Sequence, residues 1–335
     1  MTTSTPAEGA PWGWRPAVPS LLERPAAVLR LEGPDTLRVL HGQTSQALAL
    51  ARPGERLATC CISPTARLRA LAQVLVDDQG AWLLVEAGDA AAVHTALDRV
   101  LFPADAVRLG SPEAVRSLEV LGPAGTGENA PGDPGSWENL DDDSGWRLDD
   151  GRRLLREPAG VPALLPAELA KLPALGADEA ERWRIQLGMP SVPAEINEEV
   201  NPFELGLADR VRLDKGCYVG QETLAKLATY DGVKQQLRRW FLADLDGTLI
   251  APVPGMVLRD GEGGRAGTVS SILRLEHATH GWGGWIGLAL VRRGALEIAR
   301  LRAGEEGPEV SLSLPERFVA PPVGAGGQGS TQARS

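Results

Sequence analysis

The run Lys215-Gly216-Cys217-Tyr218-Val219-Gly220-Gln221-Glu222 sets one thiol between two glycines, shortly after a lysine and just ahead of a stretch that reads as a helix, Gln221 to Thr229. A cysteine attacks or binds metal only as thiolate, and a nearby ammonium and a helix N-terminus both favour that form. Glycines let the backbone turn sharply and approach a ligand closely. Cys217 and Lys215 are therefore the candidate reactive pair.

A second cluster precedes it. Glu195, Glu198, Glu199 and Glu204 make the chain acidic around Asn201-Pro202-Phe203-Glu204-Leu205-Gly206-Leu207, and Arg210, Arg212 and Lys215 make the next turn basic. One buried carboxylate can accept two parallel N–H bonds from a planar guanidine-like edge. Pterins present such an edge, and Glu204 is the leading carboxylate for it; the alternative is a salt bridge to Arg210 or Arg212. Cys60 and Cys61 lie in an apolar strand and read as core. His41, His94, His277 and His280 lack metal-ligand spacing, so no metal site is expected. Asp141-Asp142-Asp143 reads as a solvated charge run.

The elements that must position these residues are mixed. Val28 to Leu31 reads as a strand and Asp35 to Leu40 as a helix. Leu57 to Ile62 and Leu68 to Val76 form a hairpin about Ser63-Pro64-Thr65, with Ala81 to Val85 the next strand. Asp89 to Leu101 has helical spacing at Val93, Leu97 and Leu101. Ala177 to Leu187 is a helix capped by Asp178 with Glu181 and stopped by Gly188 and Pro190. From Leu237 onward, strands at 240–245, 255–258, 266–275 and 285–291 alternate with Gly and Pro turns, as in a small closed or half-closed β domain. The domains expected are a disordered segment 1–21, a body 22–234 with an acidic loop 122–145, a β-barrel 235–319 and a flexible tail 320–335. Trp12 and Trp14 are the side chains able to anchor the first segment.

The 335 residues carry a net charge of −10, which argues against non-specific binding to nucleic acid or an anionic membrane. Three cysteines make no disulfide framework, residues 1–20 show no secretory pattern, and no apolar run reaches the length of about 18 that a membrane span needs. A cytoplasmic, reducing setting is the expectation.

The stretch from Asn201 to Leu224 resembles the folate-binding aminomethyltransferase (T-protein) superfamily, and the segment 215–222 resembles its YgfZ branch, the tetrahydrofolate-dependent proteins of iron–sulfur cluster assembly or repair. Leu40-His41-Gly42-Gln43-Thr44-Ser45, Ser63-Pro64-Thr65-Ala66-Arg67, Arg184-Ile185-Gln186-Leu187-Gly188-Met189-Pro190, Gly255 and Gly267-Thr268-Val269-Ser270-Ser271 are similar to further segments of that superfamily. Aminomethyltransferases carry acids in the hairpin strand where this chain reads Arg69-Ala70-Leu71-Ala72, so their electrostatic help to the reaction is missing. Cys217 belongs to the YgfZ pattern. Gln46-Ala47 departs from the family's Asn-Asp loop, whereas the setting of Glu204 is closer to the aminomethyltransferases.

The resemblance implies an α+β fold: a folate-binding body of two interleaved lobes around a central channel, with a C-terminal β-barrel packed on it. It implies tetrahydrofolate or another reduced folate as cofactor, held among Asn201, Glu204, Gly216, Tyr218, Gly220, Gln221, Glu222 and Arg238. Several of these have second readings. Lys215 either lowers the thiol pKa or pairs with a folate carboxylate, Glu222 favours its own helix N-terminus, and Arg238 with Lys226, Lys234 and Arg239 is either a glutamyl-tail contact or solvated. Tyr218 and Tyr230 either flank a pterin or pack. A lone thiolate does not hold a cluster that takes about four ligands, so iron–sulfur client proteins or assembly factors are the expected partners, with the chain a monomer or weak dimer. Any effect on tRNA thiomodification is indirect. The alternative is a one-carbon transferase of the glycine-cleavage kind.

Overall fold

The computed structural model describes residues 11–123, 135–140, 144–158, 161–244, 246–276 and 282–324. Residues 124–134 and Asp141 to Asp143 of the acidic loop, His277, His280, residues 1–10 and the tail beyond 324 lie outside the described residues.

The first body is built on β1 (Ser20–Glu32), α1 (Thr36–Gln43), β2 (Glu55–Ile62), β3 (Leu68–Asp77), β4 (Gly80–Gly88), α2 (Ala90–Asp98), β5 (Arg108–Leu109), β6 (Glu113–Leu121), β7 (Gly135–Asn139), β8 (Gly145–Leu148) and β9 (Arg153–Arg156). The strand order is β4-β3-β2-β7-β8-β9-β6-β1-β5, and β1 pairs β4 as well, which closes the sheet into a barrel. The length of β1 makes the closure possible, because Ala27–Glu32 face β4 while Ser20–Val28 face β6. The short strand expected at 28–31 is thus one end of a longer one. Part of the expected acidic loop is also strand, β7 and the start of β8.

β3 is buried along nearly its whole length, which explains why Arg69 and Gln73 are the only polar residues between Leu68 and Val76. Ala70, Ala72, Val74 and Val76 pack with Leu40, Val93 and Leu97 of the two helices, while Leu71 and Leu75 join other clusters. Asp89 caps α2 by accepting N–H bonds from Ala91 at 2.8 Å and Ala92 at 3.2 Å.

Helix α3 (Ala177–Leu187) is capped earlier than expected: Glu179 accepts the Gly176 N–H at 3.0 Å, and Glu181 instead holds Arg184. Gly188 ends it in the left-handed conformation with φ 75°. Helix α4 is Gln221–Thr229. Then β10 (Gln235–Ala243), β11 (Val257–Arg259), β12 (Arg265–Leu275), β13 (Gly284–Arg292), β14 (Arg300–Ala303) and β15 (Glu309–Ser313) make a second closed barrel, in the order β10-β13-β12-β11-β14-β15.

Residues 11–21 do not stand apart, against the expected disorder of segment 1–21. Trp12 meets Phe241 edge-on at 6.2 Å and lies 4.5 Å beneath the Arg239 guanidinium. The Trp14 N–H reaches Gln186 at 3.0 Å, and Arg182 donates to the Pro11 carbonyl. No described helix is long and apolar enough to cross a membrane.

Candidate functional site

The loop before α4 is tied to α1 by its lysine. Lys215 Nζ donates to the carbonyls of His41, Thr44 (2.7 Å) and Gln46 (2.8 Å), and stands 4.2 Å from the centre of the Tyr218 ring. An ammonium has three donors, and all three are taken. Burial draws Lys215 down to about 7, while the carbonyls and the ring face favour the charged form. With its three donors taken, Lys215 has none left for a direct hydrogen bond to a thiolate or a ligand carboxylate.

His41 completes the tie. Its Nδ1 accepts the N–H groups of Leu48 (3.0 Å) and Ala49 (3.1 Å), and its Nε2 lies 2.6 Å from the Lys215 carbonyl. These partners assign the neutral tautomer with the proton on Nε2. The Val219 N–H bonds to the Gly42 carbonyl at 3.0 Å, and Gln221 Nε2 donates to the Leu213 carbonyl at 3.1 Å. Gly216 and Gly220 both have positive φ, 90° and 78°. The product is a fixed loop with Cys217 exposed on it. Cys60 and Cys61 are buried, which pushes both thiols up to about 12.

Tyr218 is core. Its side chain packs with Cys60, Phe203 and Leu224, and burial holds its phenol well above the usual range. Its hydroxyl has no hydrogen-bond partner among the described residues. Glu222 is exposed and accepts a bond from Lys226 at 2.7 Å, an ordinary pair one helical turn apart.

Asn201 and Glu204 brace one turn. Asn201 Oδ1 accepts the N–H groups of Phe203 (3.0 Å) and Glu204 (3.1 Å), and Glu204 Oε2 accepts the Asn201 N–H at 2.9 Å. Glu204 as a residue is 5 % exposed, and burial raises its pKa against the pull of the Asn201 N–H and Arg67. Of the alternative salt-bridge partners, Arg210 goes instead to Glu86 at 3.1 Å, and Arg67 stands 3.8 Å from Glu204. Arg238 is buried, drawn down to about 10 by burial, and faces Phe318 at 5.4 Å.

Two ligand-sized cavities are lined by other residues. A cavity of about 450 Å³ opens between β1, β4 and the segment after α3, with Arg24, Glu86, Arg184 and Ser191 among its walls. A second, of about 440 Å³, lies between the β2–β3 turn and α2 and touches the loop through Val219. Neither Cys217 and Lys215 nor any of the residues expected to hold the folate lines either cavity, although Arg184, Glu198 and Val219, also named in the sequence, do. The sequence reading missed Arg24 and Glu86, although a glutamate inside the apolar run of β4 was a visible signal; Arg184 it named only as part of the stretch similar to the superfamily. Burial opposes ionisation of Glu86, but Arg152 and Arg210 outweigh it and hold its carboxyl well below the usual range. Among the described residues no cluster of three or more His, Cys, Asp or Glu could hold a metal ion.

Glu195, fully buried, ties α3 and the segment after it to the second barrel. It accepts from Ser270 and Ser271 of β12 at 2.6 Å each, from the Ser191 N–H at 3.0 Å and from Arg184 at 3.3 Å.

No family model matches the chain. A chloroplastic protein of Arabidopsis thaliana, whose name assigns it provisionally to the transferases, is 28% identical over 228 residues, covering 62% of this chain and 52% of that protein. The chain thus spans about half the length of this curated relative. The glycine cleavage system aminomethyltransferase T of Bartonella henselae superposes with a TM-score of 0.68 at 17% identity, over 92% of this chain and 88% of that one. The two-barrel architecture with its few helices is therefore the aminomethyltransferase fold.

Proposed function

We propose that this chain is a folate-binding protein of the aminomethyltransferase superfamily, in its YgfZ branch, that supports assembly or repair of iron–sulfur enzymes through Cys217. The observation that carries the ligand half is the 450 Å³ cavity. Its size falls in the range of small-molecule sites, about 300–1,000 Å³, and its walls are mostly apolar with a few charged groups. In this reading the cavity is the central channel between two interleaved lobes. The thiol half rests on Cys217 being exposed on a pinned loop while the other two thiols are buried. Client proteins would supply the remaining cluster ligands, in a reducing compartment such as the cytoplasm.

Ala70 and Leu71 are buried core residues, so the hairpin strand offers no acid at those positions. This supports a chain without glycine-cleavage activity. The second reading, a one-carbon transferase, draws on the relative's name and on Glu86, a carboxylate in the cavity wall.

Thermal unfolding with and without 5-formyltetrahydrofolate tests the ligand, since specific binding must raise apparent stability; no rise removes the folate reading. Cys217→Ala should keep that shift yet fail to rescue a strain lacking the native protein, and full rescue removes the iron–sulfur role. Turnover of a glycine-derived aminomethyl carrier with tetrahydrofolate would favour the transferase.

A further inference from the structure

The charged groups around the 450 Å³ cavity differ in how far their bonding is already satisfied. Arg184 uses all five donors: Glu181 takes two, and Ser271, the Met189 carbonyl and Glu195 take one each. Glu86 already accepts from Arg152, Gln73 and Arg210. The Ser191 hydroxyl donates to Glu195 at 3.2 Å.

Arg24 is different. Its Nη1 has the Met189 thioether at 3.8 Å, a weak acceptor, and Glu119 also at 3.8 Å, beyond hydrogen-bond reach. Its Nη2 is buried with no partner among the described residues. Arg317 Nη1 stands 4.0 Å from the same sulfur, so two guanidinium groups converge on one thioether. A buried guanidinium donor without an acceptor is costly, and the group that would relieve it is an anion.

We propose that Arg24 reads the charge of the cavity's ligand: the site takes a molecule with a flat or aliphatic body and one carboxylate or phosphate, and Arg24 binds that anion. The body would lie against Pro25, Ala26, Ala27, Val85, Ala87 and Val192. The inference rests on the proposal that this cavity is the ligand site; it does not need the ligand to be a folate.

The test compares wild type with Arg24→Met and Arg24→Lys by thermal shift, using benzoate and phenyl phosphate against neutral benzamide. At least one anion should bind wild type about 10- to 100-fold more tightly than Arg24→Met, the range for a charged hydrogen bond. Arg24→Lys should retain part of that preference, and benzamide should not distinguish the proteins. The better anion tells carboxylate from phosphate. Without ligand, Arg24→Met should melt no lower than wild type, which guards against mistaking misfolding for lost binding. Equal anion binding by wild type and a folded Arg24→Met overturns the proposal, as does an anion preference missing from wild type. Should 5-formyltetrahydrofolate fail while an Arg24-dependent anion binds, the folate reading falls and this one stands. Should it bind both proteins equally, the reverse holds.

Discussion

Lys215 and His41 hold each other twice: Lys215 Nζ donates to the His41 carbonyl, and His41 Nε2 donates to the Lys215 carbonyl at 2.6 Å. The loop bearing Cys217 is thereby locked to the end of α1. Lys215→Met would leave the carbonyls of His41, Thr44 and Gln46 without their donor. We expect a loss of about 2–4 kcal/mol in urea unfolding and faster amide exchange across residues 213–220. A lysine that served the thiol would behave otherwise. Its loss would slow disulfide-reagent attack on Cys217 about tenfold or more with stability unchanged, and that result would remove the structural assignment.

The two glycines flanking the thiol have different reasons to be glycine. At Gly216 an added Cβ meets nothing within 4 Å, so Gly216→Ala pays only the positive-φ strain, about 1–2 kcal/mol. At Gly220 the Cβ would come 2.8 Å from the Ser63 carbonyl oxygen and 2.9 Å from Ile62 Cδ1, on top of the same strain. Gly220→Ala should cost roughly 3 kcal/mol or more. Chemical denaturation of both variants checks the order. Equal losses would mean that the loop does not pack on the hairpin turn as described.

Local signals carried much of this fold, and long-range ones did not. The spacing of Val93 and Leu97 gave α2, the apolar stretches on either side of Ser63-Pro64-Thr65 gave the β2–β3 hairpin, and the Gly and Pro turns after 237 gave a β domain. Closure of the first barrel depends on both halves of β1 finding different partners, and no short window of sequence records that. The reading of the 215–222 motif set Lys215 beside the thiol without its three carbonyl partners, because spacing along the chain does not reveal which carbonyls lie across from an ammonium. Arg24 escaped notice for the same reason. What marks it is the lack of an acceptor, a property of its surroundings in three dimensions.

Thiol titration separates the three cysteines. Cys217 is exposed, whereas burial raises Cys60 and Cys61 to about 12. The native protein should react at one thiol with a disulfide reagent at pH 8, and at three after denaturation. Cys217→Ser should abolish the native reaction and leave the melting temperature within about a degree or two, as for an exposed substitution. Rapid native labelling of two or more thiols would contradict the burial of Cys60 and Cys61.

Glu204 should leave a signature in the pH dependence of stability. Burial raises its pKa in the folded chain above the unfolded value of 4.5. Between those two values the folded state binds the proton more tightly, so ΔG of unfolding falls as pH rises through that window. The stabilisation is full below 4.5 and is lost as the pH climbs past the folded pKa. Glu204→Gln keeps an oxygen to accept the Asn201 N–H and removes the charge, so its stability should lack this fall. Urea unfolding of both proteins from about pH 4.5 to 7.5 isolates the residue, because every other titrating group is common to the two. The variant should gain on wild type as pH rises. Parallel curves would show that Arg67 and the Asn201 N–H fully offset the burial of the carboxylate, leaving Glu204 as an ordinary ionised brace rather than a desolvated acceptor.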